Sequence, residues 1–282
     1  MKPSAVKISG HLVTLPRAGR AARPLDGFWA TGARPRRSLL IFVHGMGSNF
    51  YKSGFKKAWM RAGPPAGLDV LCFNNQGCES YVADERFTDC LADLDAALTF
   101  ARREGYRRVV LLGHSTGCQK ITYYQARRRA PEVTALILAA LGDDYAIARR
   151  DQGIQYTRWI ARARRLVANG QGDTRMPACC MGFTARRFLS AADPTQVEAG
   201  LFRLDGPLRT FGKLTLPILA VFPELEQYAC IPVAEAADRL RATSRSTRYD
   251  HRIIRGADHG FHGHETACVR ACLTWLKNNR LV

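Results

Sequence analysis

The chain has 282 residues, of which 46% are hydrophobic and 23% are charged. This length and composition exclude a disordered, fibrous or small disulfide-stapled chain, and they predict one large domain, with or without an insertion. Lysine and arginine number 42 against 24 acids, which gives a formal net charge of +18. A surplus of this size attracts anions, whether nucleic acid, a membrane surface or an acidic substrate.

The sequence lacks the signals that mark several classes of protein. The basic surplus comes without a zinc-finger, helix-turn-helix or RNA-recognition pattern, so we expect no nucleic-acid partner. No apolar run reaches the about 18 residues of a membrane span, and the basic N-terminal segment lacks the apolar stretch of about 7–15 residues found in secretory signals. The nine cysteines are irregularly spaced and odd in number, which argues against a disulfide framework. We therefore expect a cytoplasmic protein.

The predicted elements alternate between strands and helices along the chain. Val6–Ile8 and Phe28–Ala30 are predicted to form an antiparallel hairpin at the start. Short apolar runs then predict buried strands at 38–43, 69–74, 108–112, 133–140, 217–222 and 251–254, and amphipathic segments predict helices at 87–104, 118–129 and 265–277. Continuous apolar runs are typical of strands covered on both faces, as in a parallel sheet between layers of helices. The order predicts an α/β fold.

Residues 144–213 interrupt this order, because they carry helical patterns and no strand pattern. On one helical segment, apolar residues fall on one face, and Arg158, Arg162, Arg164 and Arg165 fall on the other. One crossover between parallel strands needs only about a dozen residues. We therefore predict that residues 144–213 form a helical lid, inserted before the last two strands, on a core made of residues 1–143 and 214–282.

The strongest motif is Gly113-His114-Ser115-Thr116-Gly117, a G-x-S-x-G sequence between a predicted strand and a predicted helix. In this context the serine lies on a strained turn, and the small residues two positions to either side let the backbones approach. The helix N-terminus also favours negative charge that develops beside the serine. Ser115 is the predicted nucleophile, and Cys118 is expected to pack beneath the turn.

A glycine-rich turn, His44-Gly45-Met46-Gly47-Ser48, follows the first buried strand. Such a turn can aim a backbone N–H at a substrate carbonyl, so the amides of Met46 and Thr116 are the predicted oxyanion hole. His44 is expected to orient this turn by hydrogen bonds. Gly45, Gly47 and His114 are expected to border the substrate.

The general base is expected late in the chain, in the segment 256–261 (GADHGF). His259 follows the last predicted strand, and the flanking glycines let its loop bend. His262 and His264 lie where the last helix begins, and no acidic or cysteine ligand is spaced to complete a metal site with them. His259 is therefore the predicted base, no metal site is predicted, and Asp258 is expected to point away from the imidazole.

An acid must orient the histidine and stabilise its protonated form. Glu226 and Glu224 follow the strand at 217–222, in the chain order Ser, acid, His that this type of site uses. Asp143 and Asp144 follow the preceding strand and are alternatives. Glu226 is the first choice among the four.

In these motifs the chain resembles the α/β-hydrolase superfamily over essentially its whole length. The segments HGMGSNFYKSGF (44–55), ERFTDCLADLDAAL (85–98), GHSTGCQKITYY (113–124) and GADHGF (256–261) are similar to a narrower branch that includes fungal siderophore esterases acting on fusarinine-type esters. The resemblance implies an eight-stranded, mostly parallel sheet, no cofactor, Ser115 as nucleophile and His259 as base. It also places Glu226 where the family has the aspartate of a G-x-x-D turn.

The predicted activity is hydrolysis of a small carboxylic ester by a serine esterase. The same groups can cleave thioesters, amides or carbon–carbon bonds, and a non-catalytic binding protein on a hydrolase scaffold is the alternative from another class. The arginine face formed by Arg158, Arg162, Arg164 and Arg165 suggests an anionic ester, steered to the pocket by charge.

Overall fold

The computed structural model describes residues 7–18, 23–32 and 38–282. Within them, one sheet has the strand order β1-β2-β4-β3-β5-β6-β7-β8. The strands are β1 (Gly10–Leu15), β2 (Leu25–Ala30), β3 (Ser38–Val43), β4 (Asp69–Phe73), β5 (Arg108–His114), β6 (Val133–Ala139), β7 (Ile218–Leu225) and β8 (Tyr249–Asp258). β2 runs antiparallel to β1 and β4, and the remaining pairs are parallel.

The α-helices cover both faces of this sheet. They are α1 (Gly54–Ala62), α2 (Cys90–Arg103), α3 (Gly117–Arg128), α4 (Asp144–Gln152), α5 (Tyr156–Ala168), α6 (Ala185–Ala192), α7 (Val197–Leu201), α8 (Val233–Thr243) and α9 (Glu265–Asn278). The predicted α/β fold with a mostly parallel, eight-stranded sheet is confirmed. None of the helices in the described part of the chain is long and apolar enough to cross a lipid bilayer.

The buried central strands explain the continuous apolar runs of the sequence. Successive side chains of a strand point to opposite faces, so Leu39 and Ile41 of β3 join the apolar cluster beneath α2, α3 and α8. Leu40 and Phe42 join the second cluster, beneath α1 and α9. Every residue of β3 is buried, because each face of the strand is covered by helices.

The predicted N-terminal hairpin exists, but the position of its first strand is wrong. Lys7 and Ile8 lie before the strand, Val6 lies outside the described residues, and β1 begins at Gly10. β1 is an edge strand with mostly exposed side chains, so no apolar run marks it. β8, the opposite edge, is also longer than the predicted 251–254, because its exposed arginines conceal the strand pattern.

Residues 144–213, called the helical insertion below, lie between β6 and β7 and contain α4 to α7. One isolated β-bridge, Arg175 to Thr184, is the strand-like feature of this fully described range. The insertion has its own apolar cluster, which includes Ile160, Phe183 and Phe188 and packs against Met46 of the core.

A chain of buried ions attaches the helical insertion to the core. Lys120 Nζ of α3 lies 2.5 Å from Glu85 Oε1, and Arg187 Nη2 of α6 lies 3.3 Å from Glu85 Oε2. Arg187 also donates to both carboxylate oxygens of Glu198 on α7, at 2.5 and 3.0 Å. These four side chains, called the ion chain below, are at most 4% exposed.

Candidate active site

Ser115 occupies a tight turn between β5, which ends at His114, and α3, which begins at Gly117. Its φ of 56° lies in the left-handed region, which costs a residue with a side chain about 1–3 kcal/mol. Hydrogen bonds hold the turn: Ser115 N donates to Ala139 O at 3.0 Å, and Cys118 N donates to Ser115 O at 2.8 Å. A Cβ on Gly117 would collide with the carbonyl oxygen of Val43, so only glycine lets the helix approach the sheet this closely.

Cys118 lies beneath this turn, as expected. It is fully buried, and its Sγ lies 3.2 Å from Gly113 O and 3.4 Å from Ala139 O. Burial raises the pKa of this thiol well above its ordinary value, so the thiol stays protonated and helps to fix the backbone around Ser115.

His259 and Glu226 meet where the neighbouring parallel strands β7 and β8 end. Glu226 follows Leu225, and His259 follows Asp258. His259 Nδ1 lies 2.9 Å from both carboxylate oxygens of Glu226, and the side chains are 16% and 5% exposed. A carboxylate in this position holds the Nδ1–H tautomer, which leaves Nε2 of the imidazole able to accept a proton.

Further contacts fix this pair. Tyr228 N donates to Glu226 Oε1 at 3.0 Å, and the Tyr228 ring packs edge-on against His259, with centroids 4.7 Å apart. His259 N donates to Gln227 Oε1 at 3.1 Å, and His114 Nε2 lies 2.8 Å from His259 O. Both the backbone and the ring of His259 are therefore held by neighbours from β5 and from the loop after β7.

The other three acid candidates are engaged elsewhere. Glu224 accepts a hydrogen bond from Gly256 N at 2.8 Å. Asp143 caps α4 through Ala146 N at 2.9 Å and accepts from Leu204 N at 2.7 Å. Asp144 accepts from Gln119 Nε2 at 3.0 Å. Of the four carboxylates, Glu226 is the one that contacts His259.

The remaining C-terminal histidines face away from this pair. His262 Nδ1 lies 2.8 Å from Asp258 Oδ2, at a solvent-exposed position. His264 Nδ1 lies 3.1 Å from His262 O. Over residues 7–18, 23–32 and 38–282, no three potential metal-ligating side chains come together.

His44 is fully buried at the base of the glycine-rich turn. Its Nδ1 donates to Gly45 O at 2.8 Å, and its Nε2 accepts from Asn75 N at 3.1 Å. Burial first, and then the charges of Lys120 and Lys56, lower its pKa well below the ordinary value. The neutral ring therefore holds the turn in place.

The glycine-rich turn lies directly against the nucleophile. A Cβ on Gly45 would lie 2.7 Å from Ser115 Cβ and 3.1 Å from Ser115 Oγ, so glycine is required for this approach. Met46, Gly47 and Thr116 lie in the same cavity wall. Sequence reasoning therefore placed these residues in one region, and the structure brings them together with Ser115 and His259.

The residues of the predicted site, apart from Glu226, line one cavity of about 510 Å³. The core contributes Gly45, Met46, Gly47, His114, Ser115, Thr116 and His259. The helical insertion contributes a largely apolar wall, which includes Ile147, Met181, Phe183, Phe188 and Ala191. The cavity therefore lies between the carboxyl edge of the sheet and the insertion.

Within the part of the chain that the structure describes, the cavity lining contains two carboxyl side chains and no lysine or arginine, although the protein is strongly basic. Asp144 and Asp151 of α4 line the cavity, and the predicted arginine face of α5 lies outside its lining. Arg164, for example, pairs with Asp193 at 2.7 Å. Burial, followed by the negative charge of Glu198, raises the pKa of Asp144 well above its ordinary value, which favours a neutral carboxyl at this position.

His114 also stays uncharged. Burial, followed by the charge of His259, lowers the pKa of His114 to about 3.

Tyr228, Gln152 and Asp151 line the cavity but were missed by sequence reasoning. No motif marks them: Asp151 and Gln152 reach the cavity through the fold of the insertion, and Tyr228 reaches it from the loop after β7.

The sheet order, with a serine turn after β5 and a His–Glu pair after β7 and β8, is that of the α/β-hydrolase fold. Within this fold, the chain belongs to the family described as "Protein of unknown function (DUF1749)", which matches residues 30–277. No curated protein matches the sequence.

Three solved structures of similar fold cover nearly the whole chain. The siderophore hydrolase EstB from Aspergillus fumigatus is 18% identical with a TM-score of 0.72, and the match covers 98% of this chain and 99% of that one. A thermostable carboxyl esterase from Bacillus coagulans is 12% identical with a TM-score of 0.71, covering 98% and 100%. Est1E from Butyrivibrio proteoclasticus is 15% identical with a TM-score of 0.68, covering 96% and 98%. The likeness to the siderophore hydrolase agrees with the resemblance expected from the motifs.

Proposed function

We propose that this protein is a serine hydrolase that cleaves a carboxylic ester through an acyl-enzyme intermediate. The observation that carries the proposal is the contact of His259 Nδ1 with both carboxylate oxygens of Glu226, at 2.9 Å. His259 in turn lines the same cavity as Ser115. The names of two similar structures, a siderophore hydrolase and a carboxyl esterase, point the same way.

In the first half-reaction, Ser115 Oγ attacks the ester carbonyl carbon while His259 Nε2 accepts its proton. The resulting imidazolium is stabilised by Glu226. The oxyanion is held by the backbone amides of Met46 and Thr116, and one such donor is typically worth about 10²–10³-fold in rate. The carbonyl then re-forms, and the alcohol leaves with the proton returned by His259.

In the second half-reaction, water replaces the alcohol. His259 removes a proton from the water, the hydroxyl attacks the acyl carbon, and the second tetrahedral intermediate collapses to release the acid. His259 returns the proton to Ser115 Oγ, which restores the starting state. No further group is needed to balance either half-reaction.

The helical insertion, residues 144–213, is proposed as the lid of this site. Its apolar residues form much of the cavity wall, so it would exclude water and select the acyl group. The wall favours a neutral ester with an apolar acyl chain, because its described lining includes no lysine or arginine and its acidic side chains are Asp144 and Asp151. The anionic ester suggested by the arginine face of α5 gains no support from the cavity lining.

The test is covalent labelling by a fluorophosphonate probe, together with hydrolysis of p-nitrophenyl acetate and butyrate. We expect wild type to be labelled and active, and Ser115→Ala to lose labelling and about 10⁶-fold in kcat. Ser244→Ala, which removes a hydroxyl at the end of α8, is the matched control and keeps both properties.

Two outcomes contradict the proposal. A folded wild type without labelling or turnover would favour the binding-protein alternative. Labelling that persists in Ser115→Ala would place the nucleophile elsewhere. Parallel assays with thioester and anilide substrates separate esterase from thioesterase or amidase activity on the same groups.

A further inference from the structure

The core contains two lysines whose side chains are fully buried, and only one has an acidic partner. Lys120 forms an ion pair with Glu85 at 2.5 Å. Lys56 of α1 is 1% exposed, and within the described chain its Nζ has no carboxylate in ion-pair contact. A buried ammonium without a counter-ion is costly, so a protein that keeps one at a site gains something else from the charge.

The one hydrogen bond of the Lys56 ammonium leads to the site. Nζ donates to Ser48 Oγ at 2.9 Å. Ser48 ends the glycine-rich turn, lines the cavity and donates its backbone N–H to Gly45 O at 3.3 Å. Through the side chain of Ser48, the Lys56 ammonium therefore contacts the turn that carries the proposed oxyanion donor Met46. The same turn lies against Ser115 at Gly45.

The other neighbours of Lys56 add no compensating negative charge. Nζ lies 5.6 Å from the centroid of the Phe42 ring. Cys72 of β4 also interacts with Lys56, but burial raises the pKa of this thiol to about 12. His44 and His114 lie within the field of Lys56 and are held neutral, chiefly by burial. The positive charge behind the turn is therefore unscreened by protein groups.

We propose that Lys56 is a positioning residue whose buried charge, acting through Ser48 and the turn 44–48, stabilises the oxyanion that forms when Ser115 attacks the ester. The inference rests on the proposed function and adds Lys56 to the residues that support it. A fixed charge in a site of low dielectric acts most strongly where negative charge develops in the transition state. It should therefore act on kcat and leave substrate binding nearly unchanged.

The protonation of Lys56 gives this role a distinct pH signature. Burial lowers the pKa of the ammonium to about 8, against a weak opposing effect of Cys72. The rate should therefore fall as the pH rises through about 8 and the charge is lost. Among the groups that face Lys56, His44 and His114 titrate far below this pH, and Cys72 titrates far above it.

The test compares Lys56→Met with Lys57→Met, because Lys57 is the exposed neighbour on the same helix. We expect Lys56→Met to lower kcat about 10–100-fold, with KM within about 2-fold. The fluorophosphonate inactivation rate should fall in parallel, and the decline of kcat above pH 8 should disappear. Lys57→Met should match wild type.

Stability separates an electrostatic role from a structural one. Removing an unpaired buried charge should leave Tm unchanged or raised, because the folded protein no longer holds a desolvated ammonium. A lysine that served only to hold Ser48 would instead lower Tm when replaced. Ser48→Ala removes the acceptor alone, so it tests the same connection independently of how Lys56→Met folds, and we expect a smaller loss of kcat.

The possible results are distinct. Active wild type with unchanged kcat and pH profile in Lys56→Met and Ser48→Ala would overturn this inference alone. A fall in kcat that is matched by a lower Tm and an unaltered pH profile would also overturn it. Inactive wild type, with no labelling of Ser115, would remove the proposed function and this inference together.

Discussion

The sheet core and the helical insertion both rest on apolar packing, but buried ion pairs contribute to the attachment of the insertion. Two apolar clusters fix the core on either face of the sheet. The insertion is attached to the core by the buried ion chain from Lys120 to Glu198 as well as by apolar residues, such as Leu201 and Phe211, that join the first cluster. The contributions of core and insertion to the cavity differ, because the proposed reacting groups come from the core and much of the apolar wall comes from the insertion. Chemistry and substrate selection are thus assigned to separable parts of the molecule.

The largest expected effect lies on the core side, at the acid of the proposed triad. Glu226→Gln should lower kcat about 10³–10⁴-fold on p-nitrophenyl butyrate, because an amide no longer enforces the Nδ1–H tautomer of His259 or stabilises the imidazolium. Glu224→Gln, two residues earlier, is the matched control and should stay within about 5-fold of wild type. Equal losses in the two variants would show that the acid is misassigned.

The second effect tests the attachment of the insertion. Arg187→Met leaves Glu85 and Glu198 partly unpaired in the interior, so we expect the free energy of unfolding in urea to fall by about 3–5 kcal/mol. Arg203→Met breaks an exposed pair with Asp205 and should cost no more than about 1 kcal/mol.

A double variant sharpens this test. Arg187→Met with Glu198→Met removes one positive and one negative charge and leaves the Lys120–Glu85 pair intact. It should therefore be more stable than Arg187→Met alone. If the single variant were as stable as wild type, the ion chain would not contribute to holding the insertion.

The smallest effect distinguishes the two regions by acid sensitivity. In the core, His44 and His114 have lowered pKa values in the folded protein. Their contribution to the free energy of unfolding is therefore complete above about pH 6.5 and is lost as the pH falls. Each can account for at most about 1.4 kcal/mol per pH unit. Urea unfolding at pH 7.5, 5.5 and 4.5 measures this slope, and His44→Gln should flatten it.

The ion chain responds at lower pH. Burial opposes ionisation of Glu85, but the charges of Lys120 and Arg187 outweigh it and hold the pKa of Glu85 below its ordinary value. The contribution of Glu85 to the free energy of unfolding is therefore present above about pH 4.5 and is lost below it. A slope between pH 7.5 and 5.5 that His44→Gln leaves unchanged would contradict the assignment of this first loss to the core histidines.

Sequence patterns predicted the central strands well because those strands are covered on both faces. β3 coincides with its predicted range, and β6 ends one residue earlier than predicted. The edge strands β1 and β8 were misplaced or shortened, since a half-exposed strand tolerates polar and charged residues. Apolar periodicity reports burial, and it fails where a strand is not buried.

At the candidate site, the choice between Glu224 and Glu226 depended on the residue at which β7 ends. That residue is Leu225, which a short apolar run followed by Pro223 could not reveal. The buried charges Lys56, Glu85 and Arg187 were not predicted either, because charged residues are exposed by default. The burial of Glu85 and Arg187 depends on pairing between segments that are far apart in the sequence, and that of Lys56 depends on how α1 packs against the sheet.

The exposed margin of β8 has a consequence for how copies of this protein meet one another. Among the described residues, no strand pairs with its outer side, and such a margin is a template on which a second chain can add a strand. Arg252 and Arg255 are exposed along it, beside the partly exposed Ile253. Like charges brought face to face repel, so these arginines oppose pairing between the β8 edges of two copies. The repulsion weakens as salt screens the arginines.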